Sequence, residues 1–196
     1  MEYIAHRVNT IKKLSDLPKE YGVEIDLRDY KDRLILSHDP FCDGENFEEY
    51  LKNYNHGTMI LNIKSERIEF KVLELLKKYN IDNYFFLDSS FPMINLLTEQ
   101  LNEPNIALRY SEYEGLDTIL NMQGKIKWVW VDCFTKNPLI EKDYNILKDN
   151  GYQICFVSPD LVGRPEDIES YKQEFLNNNI NLDAVCVKYN NFDKWK

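Results

Sequence analysis

Seven times along this chain a short apolar segment precedes a segment whose apolar residues recur at helical spacing, and an eighth apolar segment follows them. The apolar segments are mostly continuous, which is typical of strands buried on both faces of a parallel sheet. The predicted strands cover residues 3–7, an arm that begins at residue 22, and residues 58–64, 84–89, 105–110, 128–134, 152–158 and 183–189. The predicted helices cover residues 11–21, 47–54, 67–79, 93–101, 115–122, 138–150 and 165–178.

Eight such units indicate an α/β protein of the (β/α)8 TIM-barrel type, folded as one domain over residues 1–196, with a β-hairpin after the second strand. Barrels of this type usually contain about 250 residues, so this one must be compact, with short helices and tight loops. A doubly wound open sheet is the alternative. No glycine-rich phosphate loop follows the first strand, which disfavours that alternative.

Composition limits the classes of function. The chain is 43% hydrophobic, and its formal net charge of −9 argues against nucleic acid or an anionic membrane as the main partner. The first residues lack the basic-then-apolar layout of a signal peptide, and no apolar run approaches the ~20 residues of a membrane span. The four cysteines form no C-x-x-C pair, and three lie in apolar runs, so we expect buried free thiols in a reducing cytoplasm.

The stretch GVEIDLRDYKDRLILSHDP, residues 22–40, predicts a hairpin. The two-residue period of a strand puts Glu24 and Asp26 on one face and apolar residues on the other. Two carboxylates this close repel each other, which solvent or a cation relieves. The return arm brings His38 back beside them, so the pattern indicates an acid–base site that could include a metal.

Polar side chains also lie at or near the ends of nearly all the remaining predicted strands. Because active sites of such barrels gather at the carboxyl ends of the strands, we expect these side chains to share one site. The candidates are His6, Arg7, Asn62, Lys64, Asp88, Arg109, Trp130, Asp132, Arg164 and Lys188. Simpler roles are open for three: Lys64 as a salt bridge to the strand-two carboxylates, Arg164 as a solvated charge at a helix start, and Asp132 as a hydrogen-bonded core acid. His56, in a polar turn, is expected to be structural.

The ordered set H-R, E-x-D, H-D-P and N-x-K over residues 6–64 resembles the glycerophosphodiester phosphodiesterase family, the barrel phosphodiesterases related to phosphatidylinositol-specific phospholipase C. The pair Ser90-Phe91 after the fourth strand also looks like that family. The resemblance implies a general acid–base pair, a divalent cation (Mg²⁺ or Ca²⁺) and a phosphate contact. The implied residues are His6 and His38 for the acid–base pair, Glu24, Asp26 and Asn62 for the cation, and Arg7 and Lys64 for the phosphate.

The implied function is metal-dependent hydrolysis of a small, glycerophosphodiester-like phosphodiester. A cation together with arginine and lysine suits this chemistry, because negative charge builds on the phosphate in the transition state. Two alternatives stay open. One is a phosphodiester lyase that releases a cyclic phosphate, and the other is a degenerate barrel that binds a phosphorylated ligand without turnover.

The sequence departs from the family pattern at three places. Val8 follows H-R where the family has glycine, so the first loop must bend differently. Asn62 stands where a third acidic ligand is usual, which predicts weaker metal binding or a preference for Mg²⁺, unless Asp88 or Asp132 supplies a carboxylate. Only residues 41–46 separate H-D-P from the next helix, so the substrate is expected to differ from an ordinary glycerophosphodiester.

Overall fold

The computed structural model describes residues 1–196. Its strands are β1 (Glu2–Ala5), β2 (Gly22–Tyr30), β3 (Arg33–Leu36), β4 (Glu45–Asn46), β5 (Met59–Ile63), β6 (Tyr84–Leu87), β7 (Ala107–Tyr110), β8 (Trp128–Val131), β9 (Gln153–Val157) and β10 (Ala184–Val187). Its α-helices are α1 (Ile11–Asp16), α2 (Phe47–Leu51), α3 (Glu69–Lys78), α4 (Phe91–Leu101), α5 (Asp117–Asn121), α6 (Glu141–Asp149), α7 (Ile168–Asn177) and α8 (Phe192–Trp195).

The strands form a curled sheet in a mixed α/β fold. Eight of them run parallel, in the order β6-β5-β2-β1-β10-β9-β8-β7, and β3 and β4 add antiparallel pairs beside the end of β2. Neighbouring strands therefore follow the order of the chain, without the reversal that a doubly wound sheet requires. The doubly wound alternative is wrong.

The two ends of this series, β6 and β7, lie next to each other. They share a single parallel bridge, between Phe86 and Ile106, and a hydrogen bond from the Phe86 N–H to the Asn105 carbonyl (2.9 Å). The other seven neighbouring pairs of parallel strands form regular ladders. The β6–β7 contact is thus the weakest seam of the curled sheet.

The two faces of the sheet bury different clusters. The convex face packs on the helices in a cluster of 46 buried residues, and the concave face encloses a cluster of 11. The alternation predicted for β2 is confirmed: Val23, Ile25 and Leu27 belong to the helix-facing cluster. Glu24 and Asp26, on the opposite face, are fully buried although they are acidic.

The element boundaries follow from local chemistry. Helix α1 ends at Asp16, five residues before the predicted end, because Leu17 precedes Pro18 and takes an extended conformation. Helix α6 stops before Gly151, which has the left-handed φ of 82°. A helix was not expected after the last strand, but α8 follows β10 and packs Trp195 against Phe175.

Two further expectations concern the cysteines and the helices. All four cysteines are free, and Cys133, Cys155 and Cys186 are buried as predicted. Cys42 is exposed. None of the helices combines the length and the hydropathy that crossing a membrane requires.

Candidate active site

Glu24 and Asp26 form the centre of the site, near the carboxyl end of the parallel sheet. Glu24 accepts two hydrogen bonds of 2.8 Å, one from the Asn62 side-chain amide to Oε1 and one from the Arg7 backbone N–H to Oε2. Strand register also pairs Asp26 with Asn62. Burial, and then the neighbouring charge of Asp26, raise the pKa of Glu24 to about 7. Positive charge near the pair would favour full ionisation.

Two loops dock on the edge of β2 at these carboxylates. The Val8 N–H donates to the Glu24 carbonyl (2.9 Å), and the Ser37 N–H donates to the Asp26 carbonyl (3.0 Å). The loop after β1 reaches this position through Arg7, whose φ of 55° is left-handed. The H-R loop and the H-D-P loop therefore lie next to each other along the same edge of β2.

Asn9 fixes Asp26, and the sequence patterns did not single it out. Its Nδ2 donates to Asp26 Oδ2 (2.8 Å), and its Oδ1 accepts from the Asp26 backbone N–H (2.9 Å). This paired contact holds the carboxylate in one orientation. A lone asparagine in a loop carries no periodic or motif signal, so nothing in the sequence pointed to it.

His6 lies beside Glu24, with its Nε2 3.8 Å from Glu24 Oε2. Its backbone N–H donates to the Val187 carbonyl (3.0 Å), so the ring is anchored where β1 and β10 end. Burial, and then the positive charge of Arg7, lower the pKa of His6 to about 4. The imidazole is therefore neutral at neutral pH, in the state that accepts a proton.

Asp160 is a second residue that was missed, in the loop after β9. It is buried, and its Oδ2 accepts from the Lys188 backbone N–H (3.2 Å) and from Asn191 Nδ2 (2.7 Å). Its Oδ1 is buried without a hydrogen-bond partner. The strand-end rule that selected the other candidates would have found it, because it follows β9 closely.

Lys64 and Arg7 bring positive charge to Asp26. Lys64 Nζ lies 3.8 Å from Asp26 Oδ1 and 3.3 Å from Asp88 Oδ2. Arg7 Nε lies 3.8 Å from Asp26 Oδ2, and its side chain is 46% exposed. Both cations stay within reach of a ligand in front of Asp26. Beside Arg7, a cavity of about 270 Å³ opens between the loop after β1 and Tyr189.

His38 is held at the start of the loop that follows β3. Arg28 donates to the His38 carbonyl (3.0 Å from its NH2 group) and to the Lys64 carbonyl (2.9 Å from NH1), which ties the hairpin to the end of β5. The His38 ring contacts Asp39, with Nδ1 2.8 Å from Oδ1, rather than Glu24 or Asp26. Its side chain is 41% exposed, which leaves Nε2 open to a ligand.

The ends of β6, β7 and β8 carry one connected charge network. Arg109 makes a bidentate contact with Asp88 (2.7 Å and 2.8 Å) and donates from NH1 to Asp132 Oδ2. Trp130 Nε1 donates to the same Asp132 oxygen (3.0 Å). Burial raises the pKa of Asp132 to about 6. Asp88 and Asp132 are thus engaged by Arg109 and do not replace the carboxylate missing at Asn62.

The last two candidates, Arg164 and Lys188, make no contact with Glu24 or Asp26, although, after burial and the charge of Arg7, the charge of Lys188 contributes to the lowered pKa of His6. The Arg164 guanidinium donates to the Cys133 carbonyl, to Asp167 and to the Tyr171 hydroxyl (2.8 Å), which fastens the start of α7 to the end of β8. The guanidinium is thus bound within the protein, with a side chain that is 22% exposed, and it is not the solvated charge that the alternative expected. Lys188 contributes its backbone N–H to Asp160, and its side chain is exposed.

The donor set for a divalent cation consists of two carboxylates and one amide. No group of three or more histidine, cysteine, aspartate or glutamate side chains has metal-binding geometry. Two oxygens are nevertheless buried without a hydrogen-bond partner: Asp26 Oδ1 and Asn62 Oδ1. Buried orphan oxygens on paired strand positions, next to Glu24, fit a hard cation that takes oxygen ligands.

Two solved structures have a fold similar to that of this chain. The chain is similar to a glycerophosphodiester phosphodiesterase from Agrobacterium tumefaciens, with a TM-score of 0.68 and 13% identity, covering 98% of this chain and 99% of that one. It is also similar to a phosphodiesterase from Oleispira antarctica in complex with the product sn-glycerol-3-phosphate, with a TM-score of 0.71 and 16% identity, covering 97% and 94%. No family model and no curated protein sequence matches the chain. The chain has the fold of these phosphodiesterases.

Proposed function

We propose that this protein is a metal-dependent phosphodiesterase that hydrolyses a small, glycerophosphodiester-like substrate. One observation carries the proposal: His6, Glu24, Asp26, Asn62 and Lys64 meet at one end of the curled sheet, within 3.8 Å of a neighbour in the set. The likeness in fold to two phosphodiesterases supports the same chemistry.

In this proposal the two histidines share the proton transfers. His6 is neutral and largely buried, so it suits the general base that takes a proton from the attacking hydroxyl or water. His38 is assigned the role of general acid, because Asp39 orients its ring through Nδ1 and its half-exposed side chain can supply a proton to the leaving alkoxide.

Arg7 and Lys64 would face the phosphate. Both cations lie 3.8 Å from Asp26, Arg7 at Oδ2 and Lys64 at Oδ1, and neither makes a hydrogen bond shorter than 3 Å through its side chain. Their charges would offset the negative charge that develops on the phosphoryl oxygens. Asn9 has a positioning role, since it holds the Asp26 carboxylate between them.

Glu24, Asp26 and Asn62 would hold the divalent cation, Mg²⁺ or Ca²⁺. Bound there, it would supply positive charge that polarises the phosphodiester. The amide of Asn62 contributes an oxygen but no charge, so we expect weaker binding than at a site with three carboxylates.

Metal add-back tests the proposal. After chelation, turnover of bis(p-nitrophenyl) phosphate is measured without metal and with Mg²⁺, Ca²⁺ or Mn²⁺. We expect activity to depend on added metal, and the Asp26→Asn variant to need more of it. Metal-independent turnover, or none under any condition, would contradict the proposal.

Product analysis separates hydrolysis from the lyase reaction. ³¹P NMR of a glycerophosphodiester reaction shows a phosphomonoester after hydrolysis and a cyclic phosphate after a lyase step. We expect the monoester to accumulate, with any cyclic phosphate as a transient. A cyclic phosphate that persists as the only product would favour the lyase alternative.

A second candidate function is binding of a phosphorylated ligand without turnover. It is favoured by the hydrogen bond from Asn62 to Glu24, because this contact satisfies Glu24 Oε1 without any cation. Calorimetric titration with sn-glycerol-3-phosphate, on protein that shows no turnover with any metal, would support this candidate.

The proposal includes the architecture and location that fit this chemistry. We infer that the curled sheet closes as a compact (β/α)8 barrel through the β6–β7 seam, supported by the Phe86–Ile106 bridge. A cytoplasmic location suits the four free thiols.

A further inference from the structure

The proposed mechanism assigns no role to one group of charged side chains at the site. The ends of β6, β7 and β8 carry Asp88, Arg109 and Asp132, whose side chains are 23%, 29% and 7% exposed. Lys64 joins this group to Asp26, since it contacts both Asp26 and Asp88. The group therefore lies directly beside the place proposed for the phosphate.

Acidic charge outweighs basic charge within this group. Arg109 is the one cation that contacts both Asp88 and Asp132. Glu114, hydrogen-bonded to the Ser111 hydroxyl at 2.8 Å, adds its negative charge to the surroundings of Arg109 and Asp132. Three carboxylates thus surround one guanidinium, while Lys64 is shared with Asp26.

One carboxylate oxygen in the group remains free. Asp132 Oδ2 accepts from Arg109 and from Trp130 Nε1, but Oδ1 accepts no hydrogen bond within the protein, and it is not one of the buried orphan atoms. Trp130 belongs to the concave cluster, so Asp132, two residues further on, stands on the same face, closer to the open end. Asp132 Oδ1 is a fixed acceptor that a ligand can reach.

We propose that Asp132, oriented by Arg109 and Trp130, forms a subsite for an alcohol group of the substrate and takes an alcohol that presents a hydrogen-bond donor. The donor is a hydroxyl or an ammonium group, and an alcohol that carries an anionic group is rejected. This inference rests on the proposed phosphodiesterase function and specifies its substrate class. Asp132 acts as a specificity-determining residue, with Arg109 as its positioning residue.

The electrostatics favour this choice of ligand. A carboxylate oxygen aimed at a hydroxyl or ammonium makes a charge-assisted hydrogen bond, whereas a second anion would meet uncompensated negative charge. A site built around a fixed acceptor also discriminates strongly against an analogue that lacks the donor.

A set of four glycerol phosphodiesters tests the subsite. Their second alcohols are 2-hydroxyethyl, 2-aminoethyl, 2-methoxyethyl and carboxymethyl, which differ in charge and donor but are close in size. For the wild type, we expect kcat/KM to be about tenfold to 100-fold higher for the hydroxyethyl and aminoethyl diesters than for the methoxyethyl diester. The carboxymethyl diester should be the poorest substrate.

The Asp132→Asn variant exchanges the free acceptor for an amide while an oxygen remains for Arg109 and Trp130. We expect it to lose the preference for donor-bearing alcohols, most for aminoethyl, and to gain on the carboxymethyl diester relative to the methoxyethyl diester. Circular dichroism and a cooperative thermal unfolding transition show whether the variant is folded. The exposed Asp117→Asn on α5 is the matched control and should keep the wild-type order.

Three results decide the outcome. An unchanged substrate order in Asp132→Asn, or equal wild-type rates for hydroxyethyl and methoxyethyl, would overturn the subsite while leaving the phosphodiesterase proposal intact. No turnover of any diester would instead reject the phosphodiesterase proposal, and calorimetric affinities for the same four compounds would then test the subsite. Should Asp132→Asn not fold, Trp130→Phe removes only the N–H that orients Asp132, and it should weaken the same preference.

Discussion

The side-chain amide of Asn62 donates to Glu24 Oε1 over 2.8 Å, while Asn62 Oδ1 is buried without a hydrogen-bond partner. One side chain thus satisfies a buried carboxylate with its nitrogen and offers an oxygen ligand with the other atom. A carboxylate at this position would strengthen a cation site and repel Glu24 in the absence of a cation. Asn62 therefore stabilises Glu24 in the absence of a cation, and in the proposed function it would bind a cation less tightly than a carboxylate would.

The Asn62→Asp variant tests this balance. A third carboxylate should raise the affinity for Mg²⁺ and Ca²⁺ about tenfold or more, measured by titration calorimetry. In chelator, the variant should be less stable to urea by about 1–3 kcal/mol, because Glu24 loses a hydrogen-bond donor. Asn121→Asp, at the exposed end of α5, is the control. Equal metal affinity in Asn62→Asp and the wild type would show that residue 62 is not a ligand.

We expect the loss of the Asn9 side chain to reduce both stability and turnover. In Asn9→Ala, both the Asp26 backbone N–H and its carboxylate lose a hydrogen bond, so urea unfolding should show a loss of about 1–3 kcal/mol. Turnover should fall with it, because Asp26 is no longer fixed between Arg7 and Lys64. The exposed Asn53→Ala should leave both quantities unchanged, and an Asn9→Ala variant with full activity would remove Asn9 from the site.

The raised pKa of Asp132 predicts that its contribution to the unfolding free energy falls as the pH rises. Its pKa is raised from 3.8 to about 6 by burial, so the folded state favours the protonated form. This stabilisation is complete below about pH 4 and is lost as the pH rises through 6. The unfolding free energy of the wild type, relative to Asp132→Asn, should therefore fall by up to about 3 kcal/mol between pH 4 and 7. A difference that is flat across this range, or that rises with pH, would contradict the shift.

The Arg164→Met variant distinguishes a structural role of this side chain from a role in substrate binding. Removal of its guanidinium in Arg164→Met frees the Cys133 carbonyl and Asp167, so we expect a loss of about 1–3 kcal/mol in unfolding free energy. KM for a phosphodiester should stay at the wild-type value when measured well below the melting temperature. A raised KM in a stable Arg164→Met protein would instead place this side chain near the substrate.

The fold could be predicted from the sequence because the patterns that indicate it are local. Short apolar strands alternate with helices, and the E-x-D period on β2 puts acids on one face whatever lies elsewhere in the chain. The strand order follows from the same alternation, since each strand–helix unit places the next strand beside the last. Some element boundaries differ from the predicted ones, and at Leu17 the following Pro18 explains the earlier helix end.

The contacts that complete the site could not be predicted from local sequence patterns. Asn9 reaches Asp26 across 17 positions, and Asp160 is bonded to a backbone N–H 28 positions away. Such pairs depend on how loops dock at the end of the sheet, which has no period in the sequence. Arg164 shows the same dependence on tertiary contacts, because its guanidinium binds Asp167, Tyr171 and the Cys133 carbonyl, none of which the loop sequence indicates.

In the proposed function, His6 and His38 carry out the proton transfers of phosphodiester cleavage at this site. The test compares kcat for the 2-hydroxyethyl glycerol phosphodiester, whose alkoxide leaving group needs a general acid, with saturating Mg²⁺, among the wild type, His6→Ala, His38→Ala and His56→Ala. The account predicts that His6→Ala and His38→Ala each lose about 100-fold or more, as expected for removal of a general acid or base. His56→Ala, whose ring contacts only the Leu17 carbonyl and Tyr54, should stay near the wild-type rate. Wild-type rates in folded His6→Ala and His38→Ala proteins would contradict the account.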